Sequence, residues 1–152
     1  MFWDLILADW GHCGLFLSAF LSATLLPGSS EVLLAGLLLS GTHSEWKLLF
    51  WATLGNVLGS LLNREFGAGI LRGRGAKWLG ITPQRWSQAE SWFQKYGQWS
   101  LLLAWLPVIG DPLTIVAGTL GISRARFVIL VTLGKAARYW ILIYVMELGS
   151  SS

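Results

Sequence analysis

Hydrophobic residues dominate four stretches of this chain, at about 12–39, 48–63, 98–120 and 127–146. A helix needs about 20 apolar residues to cross a bilayer. The first stretch is too long for one straight crossing and contains Pro27, and the third contains Pro107 and Pro112. Because proline lacks a backbone N–H and breaks a helix, the pattern predicts two continuous membrane helices and two interrupted membrane segments.

The two interrupted segments carry the same motif. In each, a proline is followed after three residues by a carboxylate, and an Ala-Gly pair closes the segment. The next apolar segment then opens with Thr-Leu-Gly, at residues 53–55 and again at 132–134. Paired broken segments in the two halves of a membrane chain are typical of transporters that bind their substrate at a repeat interface.

This repetition predicts an all-α membrane protein with a single membrane domain over 1–152. The expected arrangement is an inverted repeat of two re-entrant helical hairpins, each followed by a transmembrane helix. Repeat 1 is expected at about 12–66, an interfacial linker at 67–96 and repeat 2 at about 97–148. Proline-kinked complete crossings are the alternative.

The hairpin breaks are expected to face each other inside the protein. Irregular backbone at membrane depth is tolerated only where protein or a water-filled cavity covers it. The residues predicted to form the breaks are Pro27, Gly28, Ser30, Pro107, Gly110 and Pro112.

Composition agrees with a membrane protein. The chain is 54% hydrophobic and 12% charged, whereas a soluble domain carries about 25% charged residues. Its formal net charge of +3 is explained more simply by topology and anionic lipid than by nucleic acid. The single cysteine, Cys13, excludes an intrachain disulfide, a cysteine metal cluster and a CxxC redox pair. We expect no metal and no cofactor.

The positive charges favour the re-entrant arrangement. Eight of the eleven Lys and Arg residues lie in the loops that follow the second and third stretches. Both loops can lie in the cytoplasm, as the positive-inside rule requires, only if the interrupted segments enter and leave on one face. This topology leaves Lys47 as the lone basic residue on the outer side, together with Asp4, Asp9, Glu45 and Glu147.

The segment between the halves predicts an amphipathic helix. Residues 64–81 are rich in Gly and Arg and indicate a loop or short turn. Thr82-Pro83 is a helix start, with a capping residue before a proline. Aromatic residues then recur at helical spacing up to Gly97, a suitable terminator. Such a helix is expected to lie in the headgroup plane.

Four charged residues inside the apolar stretches are the main candidates for function. Glu31 and Asp111 follow the breaks, and Lys135 and Arg138 lie on one face of the last helix. Charges in the membrane are costly unless they are paired or functional. We therefore expect a network of all four at the repeat interface. The alternatives are that the carboxylates cap helix N-termini and that the cations snorkel to headgroups.

Asn56 is the polar counterpart of Lys135 when the two Thr-Leu-Gly segments are overlaid. We expect it to contribute to the binding site by hydrogen bonding to a broken hairpin. Gly55 and Gly59 form a Gly-x-x-x-Gly pair that allows close helix contact.

Several enzyme interpretations fail on spacing. Gly28-x-Ser30 matches the nucleophile motif of intramembrane serine proteases, but both histidines of the chain lie in or beside the same hairpin. No HExxH motif is present, and the Arg72–Gly75 segment lacks the Gly-Lys-[Ser/Thr] end of a P-loop. We expect no enzymatic activity.

The combined pattern resembles the DedA family, also called the SNARE-associated or VTT-domain family, and in particular its small YqaA-like branch. The residues that carry the resemblance are Ser22-Ala-Thr-Leu-Leu-Pro-Gly-Ser-Ser-Glu-Val and Leu133-Gly-Lys-Ala-Ala-Arg-Tyr. The likeness covers about 15–140. It implies two inverted re-entrant hairpins, a location in the bacterial inner membrane, and lipid translocation that depends on proton gradients.

Individual residues carry over by position. Glu31 matches the family's acidic residue in the first hairpin, and Pro107 with Ala117-Gly118 matches the second hairpin. Gly134 and Trp140 resemble residues of the last helix. The chain departs from the family in two places. It has Ala104 and Gly110 where arginines usually flank the second proline, and it has Val131 where an Asn is common in the last helix. Lys135 and Arg138 are expected to restore the missing positive charge.

The predicted function is translocation of an anionic lipid, either a polyprenyl phosphate or a phospholipid, with protons as coupling ions. Arg138 and Lys135 would attract the phosphate, and Glu31 and Asp111 would gate or carry protons. A proton-coupled exchanger of small solutes or cations and a non-transporting scaffold are the alternatives. Expected partners are membrane lipid and protons, without nucleic acid; a homo-oligomer is left open.

Overall fold

The computed structural model describes residues 2–23, 28–69, 81–107 and 109–151. Every regular element in these ranges is helical, which confirms the all-α prediction. The α-helices are α1 (Phe2–Ser22), α2 (Ser29–Leu39), α3 (Glu45–Gly69), α4 (Pro83–Tyr96), α5 (Gly110–Thr119) and α6 (Arg124–Ser150), and a 3-10 helix (Gly97–Leu103) follows α4.

Helices α3 and α6 run antiparallel through the middle of the fold. At one end Arg124 donates to both carboxylate oxygens of Glu65, at 2.9 Å each. At the other end Glu45 of α3 and Glu147 of α6 line the same small cavity, and the neighbouring Glu147 raises the pKa of Glu45. Among the described residues, α6 alone is long and apolar enough to cross a bilayer by length and composition.

Helices α1 and α2 form an antiparallel pair that packs beside α3. Ser18 on α1 donates to Ser29 on α2 at 3.3 Å. Gly55 and Gly59 of α3 lie against the backbone carbonyls of Phe16 and Phe20 on α1, so that a Cβ at either glycine would clash. The close helix contact predicted for this glycine pair is therefore present in the structure.

The second half begins with α4, which starts and ends where the sequence predicts. The hydroxyl of Thr82 accepts a hydrogen bond from the backbone N–H of Arg85 at 3.3 Å, and the helix terminates at Gly97 with a φ of +60°. Ala89 and Phe93 are buried and join the hydrophobic cluster of α5 and α6. The location of α4 in a headgroup plane stays a prediction.

Helices α2 and α5, with 11 and 10 residues, are each only about 16 Å long by the helical rise. The hydrocarbon core of a bilayer is about 30 Å thick, so neither helix could cross it. The re-entrant course and the inverted repeat stay predictions, since these lengths do not fix a position in a membrane.

The interruptions differ in part from the sequence prediction. Pro27 lies outside the described residues, and Gly28 precedes α2 with a φ of +91°. Gly110 and Pro112 lie within the first turn of α5, where the N–H that proline lacks has no helical partner anyway. The second break is therefore shorter than predicted: it contains Pro107, whereas Gly110 and Pro112 already belong to α5.

Helix α3 also extends further than expected. Residues 64–69, predicted as part of a loop, continue α3 to Gly69, and 70–80 lie outside the described residues. The reason is close packing on α5: Gly67 lies against the backbone carbonyl of Ile115, and Gly118 lies against that of Arg64. Tertiary contact here overrides the low helix propensity of glycine.

Two hydrophobic clusters lie at opposite ends of the fold. One is centred on buried residues of α5 and α6, including Leu113, Phe127 and Val131. The other joins α1, α2 and α3, including Leu15, Leu34 and Leu48. Large apolar side chains also point outward, such as Val32 at 77% and Trp46 at 71% exposure. Apolar surface on this scale is expected where lipid is the solvent.

Candidate functional site

Polar side chains converge on one face of α6, between the two hydrophobic clusters. Arg138 is central to them. Its guanidinium forms an ion pair with Glu31 in the first turn of α2, and it donates to the backbone carbonyl of Trp105 at 2.7 Å. Trp105 follows the 3-10 helix and precedes the break at Pro107. One side chain therefore contacts both interrupted segments of the chain.

Lys135 lies one turn before Arg138 and is only 4% exposed. Its ammonium group donates to the side-chain carbonyl of Asn56 and to the hydroxyl of Ser60, the second at 2.5 Å. The half-buried carboxylate of Asp111 interacts with it electrostatically. The positive charge is thus solvated mainly by neutral groups of α3 and balanced from α5.

Tyr139 extends the network from Lys135 toward α2. Its hydroxyl lies 2.9 Å from that of Ser30 and accepts a hydrogen bond from the amide of Asn56 at 2.9 Å. Tyr139 is 2% exposed and Ser30 is 1% exposed. Asn56 therefore bonds to Lys135 through its oxygen and to Tyr139 through its nitrogen, which joins α2, α3 and α6 in one continuous chain of hydrogen bonds.

A second polar layer follows along α3. The amide of Asn63 donates to the carbonyl of Ala23 at 2.7 Å and to the hydroxyl of Thr114 at 3.4 Å. Thr114 in turn donates to the backbone carbonyl of Asp111 at 2.6 Å. This layer connects the end of α1, before the first break, to the start of α5, where Asp111 lies.

Close backbone packing fixes the position of the second segment on α6. Gly134 lies against the backbone carbonyl of Leu102 in the 3-10 helix. A side chain at this position would push the 3-10 helix away from α6. The small residue therefore allows the Trp105 carbonyl to reach Arg138, one turn further along α6.

The structure joins two of the four predicted charges, Glu31 and Arg138, in an ion pair, whereas Lys135 bonds to Asn56 and Ser60 and interacts with Asp111 only electrostatically. Neither α2 nor α5 has a side-chain cap, but Glu31 and Asp111 both lie in the first turn of their helices, where the helix dipole favours a negative charge. The ammonium of Lys135 is buried and does not snorkel to the surface. Asn56 joins the network as expected, but it bonds to α6 and reaches the first hairpin only through Tyr139.

Sequence reasoning missed Ser60, Asn63 and Tyr139. A signal for two of them was present, because Asn56, Ser60 and Asn63 recur at intervals of four and three residues and form a polar stripe on one face of an apolar helix. Tyr139 lies four residues after Lys135 on the same face. Tyrosine is so common in membrane helices near an interface that its type alone gave no signal.

Arg64 is one of the eight basic residues that the sequence places in the loops, but the structure buries it at the end of α3. It is 8% exposed, and it donates to the backbone carbonyl of Ile122 through Nε at 3.0 Å and Nη2 at 2.5 Å. It also pairs with Glu65 at 2.5 Å. Arg64 thereby binds the turn between α5 and α6 to the end of α3.

Comparison with known proteins identifies the family. The model of the VTT domain matches residues 26–148, a range that includes Glu31, Asp111, Lys135 and Arg138. The chain belongs to the VTT-domain, or DedA, family of membrane proteins. The resemblance noted in the sequence is therefore confirmed.

Individual relatives cover most of this VTT-domain protein. It is 44% identical over 125 residues to the "Inner membrane protein YqaA" of Escherichia coli K12, which corresponds to 82% of this chain and 83% of that protein. It is 36% identical over 142 residues to an uncharacterized protein of Haemophilus influenzae, covering 87% and 85% of the two chains. No solved structure matches the chain significantly.

Proposed function

We propose that this VTT-domain protein moves an anionic lipid across the bacterial inner membrane, without covalent chemistry, and that proton uptake by the network gates the movement. The observation that carries the proposal is the double contact of Arg138, with the carboxylate of Glu31 and with the carbonyl of Trp105. A change at this one guanidinium acts on both interrupted segments at once.

In the proposed membrane arrangement α6 crosses the bilayer. Helix α3, which has 25 residues but is less apolar, crosses antiparallel to it with its polar face toward α6. The α1–α2 pair and the 98–120 segment would enter from opposite faces, with both basic loops in the cytoplasm. Three observations support it: α2 and α5 are too short to cross, both segments reach α6 at Arg138, and the Escherichia coli relative is named an inner membrane protein.

The proposed mechanism starts with Arg138 occupied by Glu31. A guanidinium bound to a carboxylate competes poorly for a second anion. Protonation of Glu31 removes its negative charge and frees the guanidinium, which can then bind a phosphate through two parallel hydrogen bonds. A proton and a phosphate would thus be coupled through a single side chain, because protonation of Glu31 and binding of the phosphate both favour the state in which Arg138 is released from Glu31.

Lys135 would supply the second positive charge. Its direct partners Asn56 and Ser60 are neutral, so the ammonium keeps its charge available to an approaching anion. Asp111 balances that charge when no substrate is present. A charge at membrane depth is costly unless it is paired or functional, and this arrangement gives Lys135 a partner in both states.

The test is lipid movement in reconstituted vesicles. Labelled polyprenyl phosphate or phospholipid would be followed with and without a pH gradient, for the wild type, Glu31→Gln and the double variant Lys135→Gln/Arg138→Gln. We expect gradient-sensitive movement, loss of gradient sensitivity in Glu31→Gln and loss of movement in the double variant. Arg126→Gln is the matched control, since Arg126 is exposed in the first turn of α6. Unchanged movement in the folded double variant would contradict the mechanism.

A non-transporting scaffold is a second candidate, favoured by the fact that both cations have partners within the protein. In a scaffold, Glu31→Gln should lower the thermal stability. In a transporter the variant should keep its fold and lose coupled movement. A proton-coupled exchanger would use the same carboxylates, and it would acidify or alkalinise vesicles that contain no labelled lipid when a cation or solute gradient is applied.

A further inference from the structure

A cavity of about 640 Å³ opens near the first turn of α3, away from the network around Arg138. Its lining residues are His12 and Cys13 of α1 and Trp46, Lys47, Phe50 and Trp51 of α3. The ring of His43 meets that of His12 edge to face, with centroids 5.0 Å apart. Tryptophan is enriched at the depth of lipid headgroups, so this composition combines cationic and interfacial side chains.

Lys47 stands out within this cavity. The sequence identifies it as the exception to the positive-inside pattern, because the topology expected from the sequence leaves it as the lone basic residue on the outer side. The side chain is exposed, and within the described residues it forms no ion pair. A cation left unpaired in a cavity with aromatic walls is suited to an anionic ligand from the membrane surface.

A second cavity of about 510 Å³ runs along the neighbouring face of α3. It extends from Trp46 to Leu61 and is closed by Val128, Thr132 and Ala136 of α6. This stretch of α3 is about 22 Å long by the helical rise, somewhat longer than one leaflet of the hydrocarbon core, which is about 15 Å. It is therefore a groove with the length and polarity of a hydrocarbon chain.

The two cavities meet at Trp46 and Phe50, which line both. The combined surface is cationic at one end and apolar along the rest of its length. An amphiphile with a negative headgroup has this same distribution of polarity. Neither cavity includes a residue of the pairs Glu31–Arg138 and Asp111–Lys135, so the combined surface is separate from the candidate site already described.

Thr53 points to the chemistry of the occupant. It lines the apolar groove, is 9% exposed, and its hydroxyl has no hydrogen-bond partner. A buried donor without a partner is costly. Thr53 lies about 9 Å along the helix axis from Lys47, a separation that suits the ester carbonyl below the phosphate of a glycerolipid. A polyprenyl phosphate has no carboxylic ester, so it offers no carbonyl to accept this hydrogen bond.

We propose that the two cavities form one binding site for an anionic glycerophospholipid. The phosphate lies at Lys47 beside His12, an ester carbonyl accepts a hydrogen bond from Thr53, and one acyl chain lies in the groove between α3 and α6. The site binds lipid whether or not the protein transports it. Its test therefore measures binding and is independent of the assay of the proposed function.

The chain's one cysteine provides the first measurement, because Cys13 is exposed and lines the headgroup cavity. The protein would be reconstituted into vesicles of phosphatidylcholine alone or with phosphatidylglycerol, and the rate of alkylation by a water-soluble maleimide would be compared. Phosphatidylglycerol should slow alkylation about fivefold, the effect of one lysine–lipid contact. The slowing should disappear in Lys47→Gln and persist in Lys95→Gln, a matched exposed lysine on α4.

The negative surface potential of the phosphatidylglycerol vesicles affects the rate ratio of every variant alike, so it cancels when the ratios of two variants are compared. Equal ratios in the wild type and Lys47→Gln would overturn the proposal. Protection by inorganic phosphate in phosphatidylcholine vesicles would identify a free-anion site and would also overturn it. Protection that depends on the protein-to-lipid ratio and not on the headgroup would assign the surface to a second copy of the chain.

The second measurement tests the ester contact. The protein would be titrated with ester-linked and ether-linked phosphatidylglycerol in phosphatidylcholine vesicles, with Cys13 protection as the readout. Ester-linked lipid should bind about fivefold more tightly than ether-linked lipid, the effect of one hydrogen bond, and Thr53→Val should remove the difference. If wild type and Thr53→Val discriminate equally between the lipids, or if neither does, the assignment of the ester to Thr53 is wrong.

Discussion

Glu31 on α2 and Arg138 on α6 form an ion pair, with 30% and 25% of their side chains exposed. This partial exposure distinguishes the pair from one sealed inside a core. A partly exposed pair can exchange partners, because each charge can be resolvated when the other moves away. The same geometry that joins the first interrupted segment to α6 therefore leaves the guanidinium accessible to another anion.

The strength of this pair can be measured with a double-mutant cycle. Glu31→Gln, Arg138→Gln and the double variant should give a coupling of about 1 kcal/mol in the free energy of unfolding, since partial exposure screens the charges. The measurement is denaturation of the four proteins in one detergent, followed by circular dichroism. Additive effects of the two substitutions would mean that the pair contributes nothing to stability.

The stability of the protein should respond differently to removal of the Lys135 charge and to removal of one of its hydrogen-bond acceptors. Lys135→Met removes a buried charge and keeps the length of the side chain, so stability should change by less than about 1 kcal/mol or increase. Asn56→Leu leaves the ammonium buried without one of its acceptors and should destabilise by about 2 kcal/mol. Both are checked by thermal unfolding in detergent.

The lipid assay completes this comparison. If Lys135 serves the proposed function, Lys135→Met should lose lipid movement while it keeps its stability. A Lys135→Met protein that is as destabilised as Asn56→Leu would instead indicate that the charge is structural.

The two Ala-Gly pairs of the repeat motif make a matched test of packing. Gly118 lies against the backbone carbonyl of Arg64, whereas within the described part of the chain no neighbouring segment comes within 4 Å of a Cβ placed on Gly36. Gly118→Ala should therefore destabilise by about 1–3 kcal/mol through overpacking. Gly36→Ala should be neutral or stabilising by up to about 1 kcal/mol, the difference in helix propensity. Similar losses of stability in both variants would contradict the packing described for α5.

The overlay of the two halves predicted more of the site than single motifs did. It identified Asn56 and Lys135 as equivalent positions, and the structure joins them by a hydrogen bond. The physical reason is that two antiparallel helices that cross at their middle bring equivalent positions together. Helix type and the limits of α4 were likewise predictable, because caps and apolar periodicity are local properties of the sequence.

The details of the network were not predictable in this way. The contact of Arg138 with the Trp105 carbonyl depends on the close approach of Leu102 to Gly134, a relation between segments distant in sequence. The similarity of the Ala-Gly pairs concealed a difference, since Gly118 packs against backbone and Gly36 does not. Sequence patterns specify which residues are polar or small, but tertiary packing decides which partners they meet.

The end of the bundle where α3 begins offers a prediction with a defined pH dependence. Glu45 and Glu147 line the same small cavity between α3 and α6, and the neighbouring carboxyl group of Glu147 raises the pKa of Glu45. A glutamate side chain is ordinarily ionised at pH 8, and two neighbouring carboxylates repel each other. In Glu147→Gln an amide N–H can donate to the remaining carboxylate without a proton from solution.

The Glu147→Gln variant should therefore unfold at a higher temperature than the wild type at pH 8. The gain should shrink as the pH falls toward 4, because Glu45, whose pKa is raised beside Glu147, is then protonated and the repulsion is removed. The measurement is the unfolding temperature in detergent at a series of pH values, with Glu90→Gln on α4 as the control for the loss of an exposed carboxylate. A gain that does not vary with pH, or that equals that of Glu90→Gln, would show that repulsion between Glu45 and Glu147 does not affect the contact between α3 and α6.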